Sequence, residues 1–272
     1  MAMPTRPFTR VDVSSSTMPI KGGLVNVLDK AGRVFDRPVE QVASGIVAVP
    51  DAICGYPGIA PGLCEVDDSI TVDAEKTPNE PENQYGPVFV AYRAVECMPN
   101  ALDYESLATK GLVKNETYAV EMASQEALYI SDDYFSSAPA DLGSGSVSEG
   151  LGLMEQWLGG IGGGLIHVTR FGAQYLIADG KVKDYDDFLL YTRQGTPVVN
   201  GAGYANVTPD GVAALADTFW MWATPWMTLH RSPVIYSSGY GLGTNKETGI
   251  AERAYSIATD CDARAAFLVS VV

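Results

Sequence analysis

Two histidines, His167 and His230, are the only imidazoles in this chain of 272 residues, and each is a candidate general base. His167 sits in the apolar run Leu165-Ile-His-Val-Thr with no carboxylate close to it in sequence. His230 stands beside Arg231 in a second strand-like run. A catalytic imidazole needs a group to orient it, and neither segment supplies one. Both therefore read as satisfied core or edge histidines. The glycine run Gly159-Gly-Ile-Gly-Gly-Gly164 invites a phosphate-binding reading. That chemistry requires glycines that follow a strand and open a helix, so that the helix N-terminus faces the anion. Here they follow a helical pattern and open a strand, and no Gly-Lys-Ser/Thr is present, so the run reads as a linker. Gly143-Ser-Gly-Ser lacks the Gly-x-Ser-x-Gly pattern of a nucleophile elbow and reads as a turn. Asp132-Asp133 and Asp186-Asp187 are adjacent pairs and read as solvated charge.

The four cysteines, Cys54, Cys64, Cys97 and Cys261, form no Cys-x-x-Cys pair, and with two isolated histidines a zinc site is not expected. Cys54 and Cys64 bracket a Gly/Pro-rich stretch and could bridge; free buried thiols are the expectation for a cytosolic product. No catalytic residue, cofactor site or metal site is expected. The cluster Phe219-Trp-Met-Trp222 with Trp226 is the strongest apolar feature. Alternation puts Phe219 and Met221 on one face and Trp220 and Trp222 on the other, as in a strand buried on both faces. The cluster serves either the core or a subunit contact.

Composition bounds the elements that must hold these residues. Apolar residues make up 46% and charged ones 19%, with 28 Gly and 16 Pro, which suits a loop-rich α+β chain and excludes a helical bundle or a disordered polymer. The net charge of −15 argues against a basic nucleic-acid groove. No stretch approaches the 18 or so apolar residues of a membrane span, and the N-terminus has no signal-peptide core.

Residues 1–45 read as an extended N-terminal arm with short structured pieces. Residues 46–87 read as a strand near 45–53 followed by a long, polar, projecting loop with a strand-like centre at 68–74. Residues 88–95 alternate as a strand. A long helix follows, capped by Asn100 or Asp103 and reaching about Leu128. Leu107, Leu112, Tyr118, Met122 and Leu128 are expected on its buried stripe, with Lys110, Lys114, Glu116, Glu121 and Glu126 mostly elsewhere; Gly111 weakens its continuity. Ser146 or Ser148 caps a second helix with Leu151, Met154, Trp157 and Leu158 on its apolar face. A third helix, 170–179, stops at Gly180. Strands are expected at 188–193, 196–199, 218–223, 227–236, 250–259 and 265–272, with a loop over 199–217 and a flexible excursion at Gly239-Tyr-Gly-Leu-Gly-Thr-Asn.

This order of elements resembles the HK97-type major capsid fold of tailed phages, which is shared with encapsulins. Local sequence adds to the likeness. Residues 148–157 followed by Gly163-Gly-Leu-Ile-His-Val-Thr-Arg resemble the family's helix, strand and helix entry, and Leu176-Ile-Ala-Asp-Gly its helix end. Gly195-Thr-Pro-Val-Val, Arg231-Ser-Pro-Val-Ile, Ile250-Ala-Glu-Arg-Ala-Tyr-Ser-Ile-Ala and Asp262-Ala-Arg-Ala-Ala-Phe resemble its later strands. The match runs from about Val88 to Val272; before Val88 it is one of layout only.

The resemblance implies an HK97-like α+β fold with an N-terminal arm (1–45), a strand and extended loop (46–87), a peripheral domain with a spine helix (88–145, partly rejoined by strands from about 227–258) and a mainly axial domain (146–272). It implies a non-enzymatic subunit of an icosahedral head, self-assembling with copies of itself into hexamers and pentamers around double-stranded DNA. DNA would be held by proximity, without sequence-specific binding. Scaffolding, portal and decoration proteins are further expected partners, and no membrane is. Assembly in the host cytoplasm and residence in the virion follow. An encapsulin-type compartment shell and a minor or vertex capsid protein of the same fold are the alternatives. No long helical pro-segment precedes the arm, so a separate scaffold is expected. Lys76 has no assignable crosslinking partner.

Overall fold

The computed structural model describes residues 22–45, 47–48, 84–97, 103–126, 138–185, 189–241 and 246–271. The arm before residue 22, nearly all of the projecting loop with its strand-like centre at 68–74, and Asp132, Asp133, Asp186 and Asp187 lie outside them.

Among the described residues the chain builds two large sheets, a two-stranded pair and two clusters of buried apolar side chains. Before the first sheet come α1 (Leu24–Lys30), β1 (Val34–Asp36), α2 (Val39–Ala43) and the short pair β2 (Val47–Ala48) and β3 (Gln84–Tyr85). The alternating run becomes β4 (Val88–Cys97), and α3 (Tyr104–Ser124) follows it. Asp103 caps α3 by accepting from the Ser106 N–H at 3.0 Å. The helix passes through Gly111 unbroken. A Cβ there would lie 3.0 Å from Cγ of Arg93, so glycine lets α3 sit close on β4.

The expected buried stripe of α3 is corrected. Leu107, Tyr118 and Met122 are 45%, 46% and 53% exposed, while Tyr104, Ala108, Leu112, Glu116, Thr117, Val120, Glu121 and Ser124 are buried. Leu112 is buried as expected and Leu128 lies outside the described residues, but Ala108, Thr117, Val120, Ser124 and two carboxylates take the buried places expected for Leu107, Tyr118 and Met122. Hydropathy alone misplaces these three and the two carboxylates, while Lys110, Lys114 and Glu126 are exposed as expected.

Downstream come β5 (Ala140–Gly145), α4 (Val147–Gly160), β6 (Gly164–Thr169) and α5 (Arg170–Ala178). Ser146 caps α4 through the Glu149 N–H, and Gly180 follows α5 at φ +61°. The rest is strand: β7 (Val182–Tyr185), β8 (Leu189–Thr192), β9 (Pro197–Gly201), β10 (Thr218–Pro225), β11 (Met227–Arg231), β12 (Ile235–Gly241), β13 (Lys246–Thr259) and β14 (Ala265–Ser270).

Three further expectations change. Of the expected turn Gly143-Ser-Gly-Ser, Gly143 to Gly145 belong to β5, which pairs parallel with β14 across a bulge; a distant partner makes a strand of a turn-like sequence. The run 227–236 breaks into β11 and β12 at Ser232-Pro233, because proline has no N–H for the ladder. Gly239 to Gly241 are no excursion but the end of β12, paired with β13.

In the first sheet, β13 is flanked on one edge by β4 and on the other by β12 and β11 placed end to end, with β1 outside β11. The second sheet runs β5-β14-β10-β6-β9-β8-β7. Its interior strand β10 is apolar on both sides, as its alternation predicts. Phe219, Met221 and Ala223 face α4 and α5 in one core cluster. Trp222 joins Leu165, Val199 and Ala266 in a second cluster with α1, α3 and the first sheet, and Trp220 packs against it.

Candidate functional site

The glycine run closes α4 and turns the chain into β6. Gly162 and Gly163 take φ +90° and +100°, and Gly164 lies against β10, where a Cβ would stand 2.0 Å from the Thr224 carbonyl oxygen. Gly164 therefore packs on backbone instead of cradling a phosphate.

His167 points into the core and is 1% exposed. Its Nδ1 lies 3.0 Å from the Tyr204 hydroxyl and its Nε2 2.8 Å from Thr224 Oγ1. One hydroxyl donates and the other accepts, which holds a neutral ring. Burial pushes its pKa down to about 3. His230 stacks on Phe35 at 5.4 Å, and burial and then Arg37 lower its pKa. The two imidazoles lie on different sheets, β6 and β11, each with its own neighbours. Cys261 is corrected: it is disulfide-bonded, and the sulfur it pairs with is not among the described side chains. Among the described residues no three His, Cys, Asp or Glu side chains are grouped to hold a metal, and no helix is long and apolar enough to cross a membrane.

Folding brings together two polar centres that the sequence did not announce. At the first, Glu121 of α3 is fully buried. Its Oε1 accepts the Leu24 N–H at the start of α1 at 2.9 Å, and its Oε2 accepts the Gly203 N–H after β9 at 2.8 Å. One turn on, the Gln125 amide exchanges two bonds with the Ala205 backbone, at 2.7 and 2.6 Å. Burial raises the Glu121 carboxyl above its ordinary range, against the N–H bonds that lower it. This pair locks α1, α3 and the β9–β10 connection into one unit.

At the second centre, Glu116 receives Arg253 at 2.8 Å and Arg231 at 3.5 Å, and Arg231 also reaches Asp36 at 2.8 Å. The hydrogen bond from Arg231 holds the Asp36 carboxyl below its usual value. The network ties β1, β11, β13 and α3, beside a groove of about 320 Å³ against α1. Its bonded partners are up to 195 residues apart, so no local motif could reveal them. The arrangement is one of mutual neutralisation and fixes elements in place.

The described surface also carries exposed apolar groups. Val90 and Tyr92 on β4 are 53% and 70% exposed, and Leu107, Tyr118 and Met122 share one face of α3. Patches of this kind mark interaction sites.

No protein-family model matches the chain, and no curated protein sequence does. Solved structures do. The capsid of an empty GTA particle matches at 13% identity over 100% of this chain and 95% of its own, with a TM-score of 0.54. The capsid of the native GTA particle matches at 11% identity, over 100% and 96%, with a TM-score of 0.53. The holo-SrpI encapsulin complex from Synechococcus elongatus PCC 7942 matches at 10% identity, over 100% and 94%, with a TM-score of 0.51. The likeness places the chain in a fold used by shell proteins. That fold is the HK97-like capsid fold, α+β in class.

Proposed function

We propose that this chain is a major capsid protein: the structural, non-enzymatic subunit of an icosahedral phage head, forming hexamers and pentamers with its own copies. The observation that carries the reading is the end-to-end likeness to capsid subunits, over the whole of this chain and nearly all of theirs. We assign α3 and the five-stranded sheet to a peripheral domain, and α4, α5 and the seven-stranded sheet to an axial one. The projecting loop would lie on a neighbouring subunit, and the exposed apolar faces of α3 and β4 supply modest contacts repeated many times. A net charge of −15 suits a wall that encloses DNA without holding it. Scaffolding, portal and decoration proteins would act on this lattice, in the host cytoplasm and then in the virion.

The encapsulin match over the full chain favours a second reading, a compartment shell around protein cargo. Electron microscopy and mass measurement of the purified 29.0 kDa chain test both readings. Closed megadalton particles that protect DNA from nuclease support a phage head. Particles filled with protein and free of DNA support the compartment. A monodisperse monomer at high concentration, both alone and when co-expressed with the products of its neighbouring genes, overturns both.

A further inference from the structure

A groove of about 470 Å³ crosses the second sheet beside its edge strand β5, lined by Pro139, Asp141, Pro209, Asp210, Trp220 and Ala266 among others. Its wall over 206–214 is held in shape by a dense set of bonds. Asn206 donates to the Thr218 carbonyl at 2.9 Å and accepts the Trp220 N–H at 3.0 Å. The Thr208 hydroxyl accepts the Val212 N–H at 3.0 Å, and Val207 bridges to Ala213. Among the described residues no Lys or Arg lines the groove. Of its two carboxylates, Asp141 accepts one bond, from the Gly143 N–H at 2.8 Å. A preformed slot with an indole and two carboxylates suits a cationic side chain on an extended peptide.

We propose that this groove seats the chain's own N-terminal segment, residues 1–21, with the guanidinium of Arg6 or Arg10 over the Trp220 indole between Asp141 and Asp210. Charge selects the occupant. In a chain of net charge −15, residues 1–21 carry Arg6, Arg10 and Lys21 against a single acid, Asp12. The other long segment outside the described residues, 49–83, holds eight acids and one lysine, so the groove repels it. Position agrees. Gly22 is anchored on β9, where its carbonyl accepts the Asn200 N–H at 3.0 Å. The α1 helix that follows packs in the same core cluster as Ala266, on the groove's side of the sheet. Strand β9 is three places from β14, about 14 Å away. The twelve residues from Arg10 to Gly22 span up to about 40 Å when extended. A tethered segment with that slack reaches the slot at high effective concentration, which favours the molecule's own arm over a neighbour's.

The test places a photoreactive benzoylphenylalanine at Phe8 of the full-length chain and maps the adducts by mass spectrometry. Adducts on the peptides around 138–141 and 208–210 are expected. The D141N/D210N pair and the R6E/R10E pair should each lower their yield by about tenfold. The second pair alters no residue of the folded body, so it reads the contact even if the first perturbs folding. Adducts elsewhere, or a yield that neither pair changes, overturn the proposal. In an equal mixture of isotope-labelled and unlabelled chains, adducts should join like with like. Mixed adducts would place the arm on a neighbouring copy and overturn it as well. The measurement needs no assembled particle, so its outcome is separate from that of the shell reading.

Discussion

Glu121 is a carboxylate at the meeting point of three elements, and truncating it tests how much that junction carries. E121A leaves the Leu24 and Gly203 N–H groups buried without acceptors and should cost about 2–5 kcal/mol in denaturant unfolding. E121Q keeps one acceptor and should cost less. Because burial raises the folded carboxyl above its ordinary value of 4.5, its contribution is fully present below that value and fades as pH rises through the folded pKa. Wild type should therefore lose more stability than E121Q between acid and neutral pH. His167 acts in the opposite direction. Its folded pKa is depressed from 6.5 to about 3, so the stability it gives is present above 6.5 and is lost as pH falls toward 3. Relative to H167Q, wild type should lose about 1.4 kcal/mol per pH unit across that window in pH-resolved urea melts. The sequence showed that His167 had no catalytic company. It placed Glu121 on the wrong side of the helix, because its N–H partners come from residues 97 and 82 positions away.

Elements were legible where a local rule sets them. Asp103, Ser146 and Gly180 mark helix ends through bonds made within a turn or two, and the period of β10 sorts its two faces. Where a partner strand decides, the signal was missing, as for β5, a glycine-rich segment held by β14 across a bulge. The glycine run gives a contrast within one linker. Gly159 is helical with open space at its Cβ, so G159A should raise stability by about 0.5–1 kcal/mol. Gly164 presses on the Thr224 carbonyl, so G164A must push β6 off β10 and should lower stability by several times that amount. Thermal melts of the two variants moving in opposite directions would establish the run as a packing device. Equal small effects would contradict it.

At the scale of the whole molecule, the order of elements carried the fold, while the faces available to neighbours came only from the structure. Leu107, Tyr118 and Met122 were assigned to the core because large apolar residues are usually there. The fold instead fills that space with Ala108, Leu112, Val120 and two engaged carboxylates, and leaves the three outside. A helix that exposes three large apolar residues while burying Glu116 and Glu121 gives up the simplest amphipathic arrangement. A second surface is the physical reason to keep the three residues apolar. The variant L107S/Y118S/M122S should then unfold within a few degrees of the wild-type midpoint, since all three are about half exposed. The same variant should fail to form closed particles, with sedimentation shifting from the megadalton species to free subunits or small capsomers. If the variant assembles like the wild type, the exposed stripe of α3 is not a subunit contact, and the proposed lattice must be held by the projecting loop and β4. A loss of melting temperature as large as that of a core truncation would instead show that the stripe is covered within its own subunit.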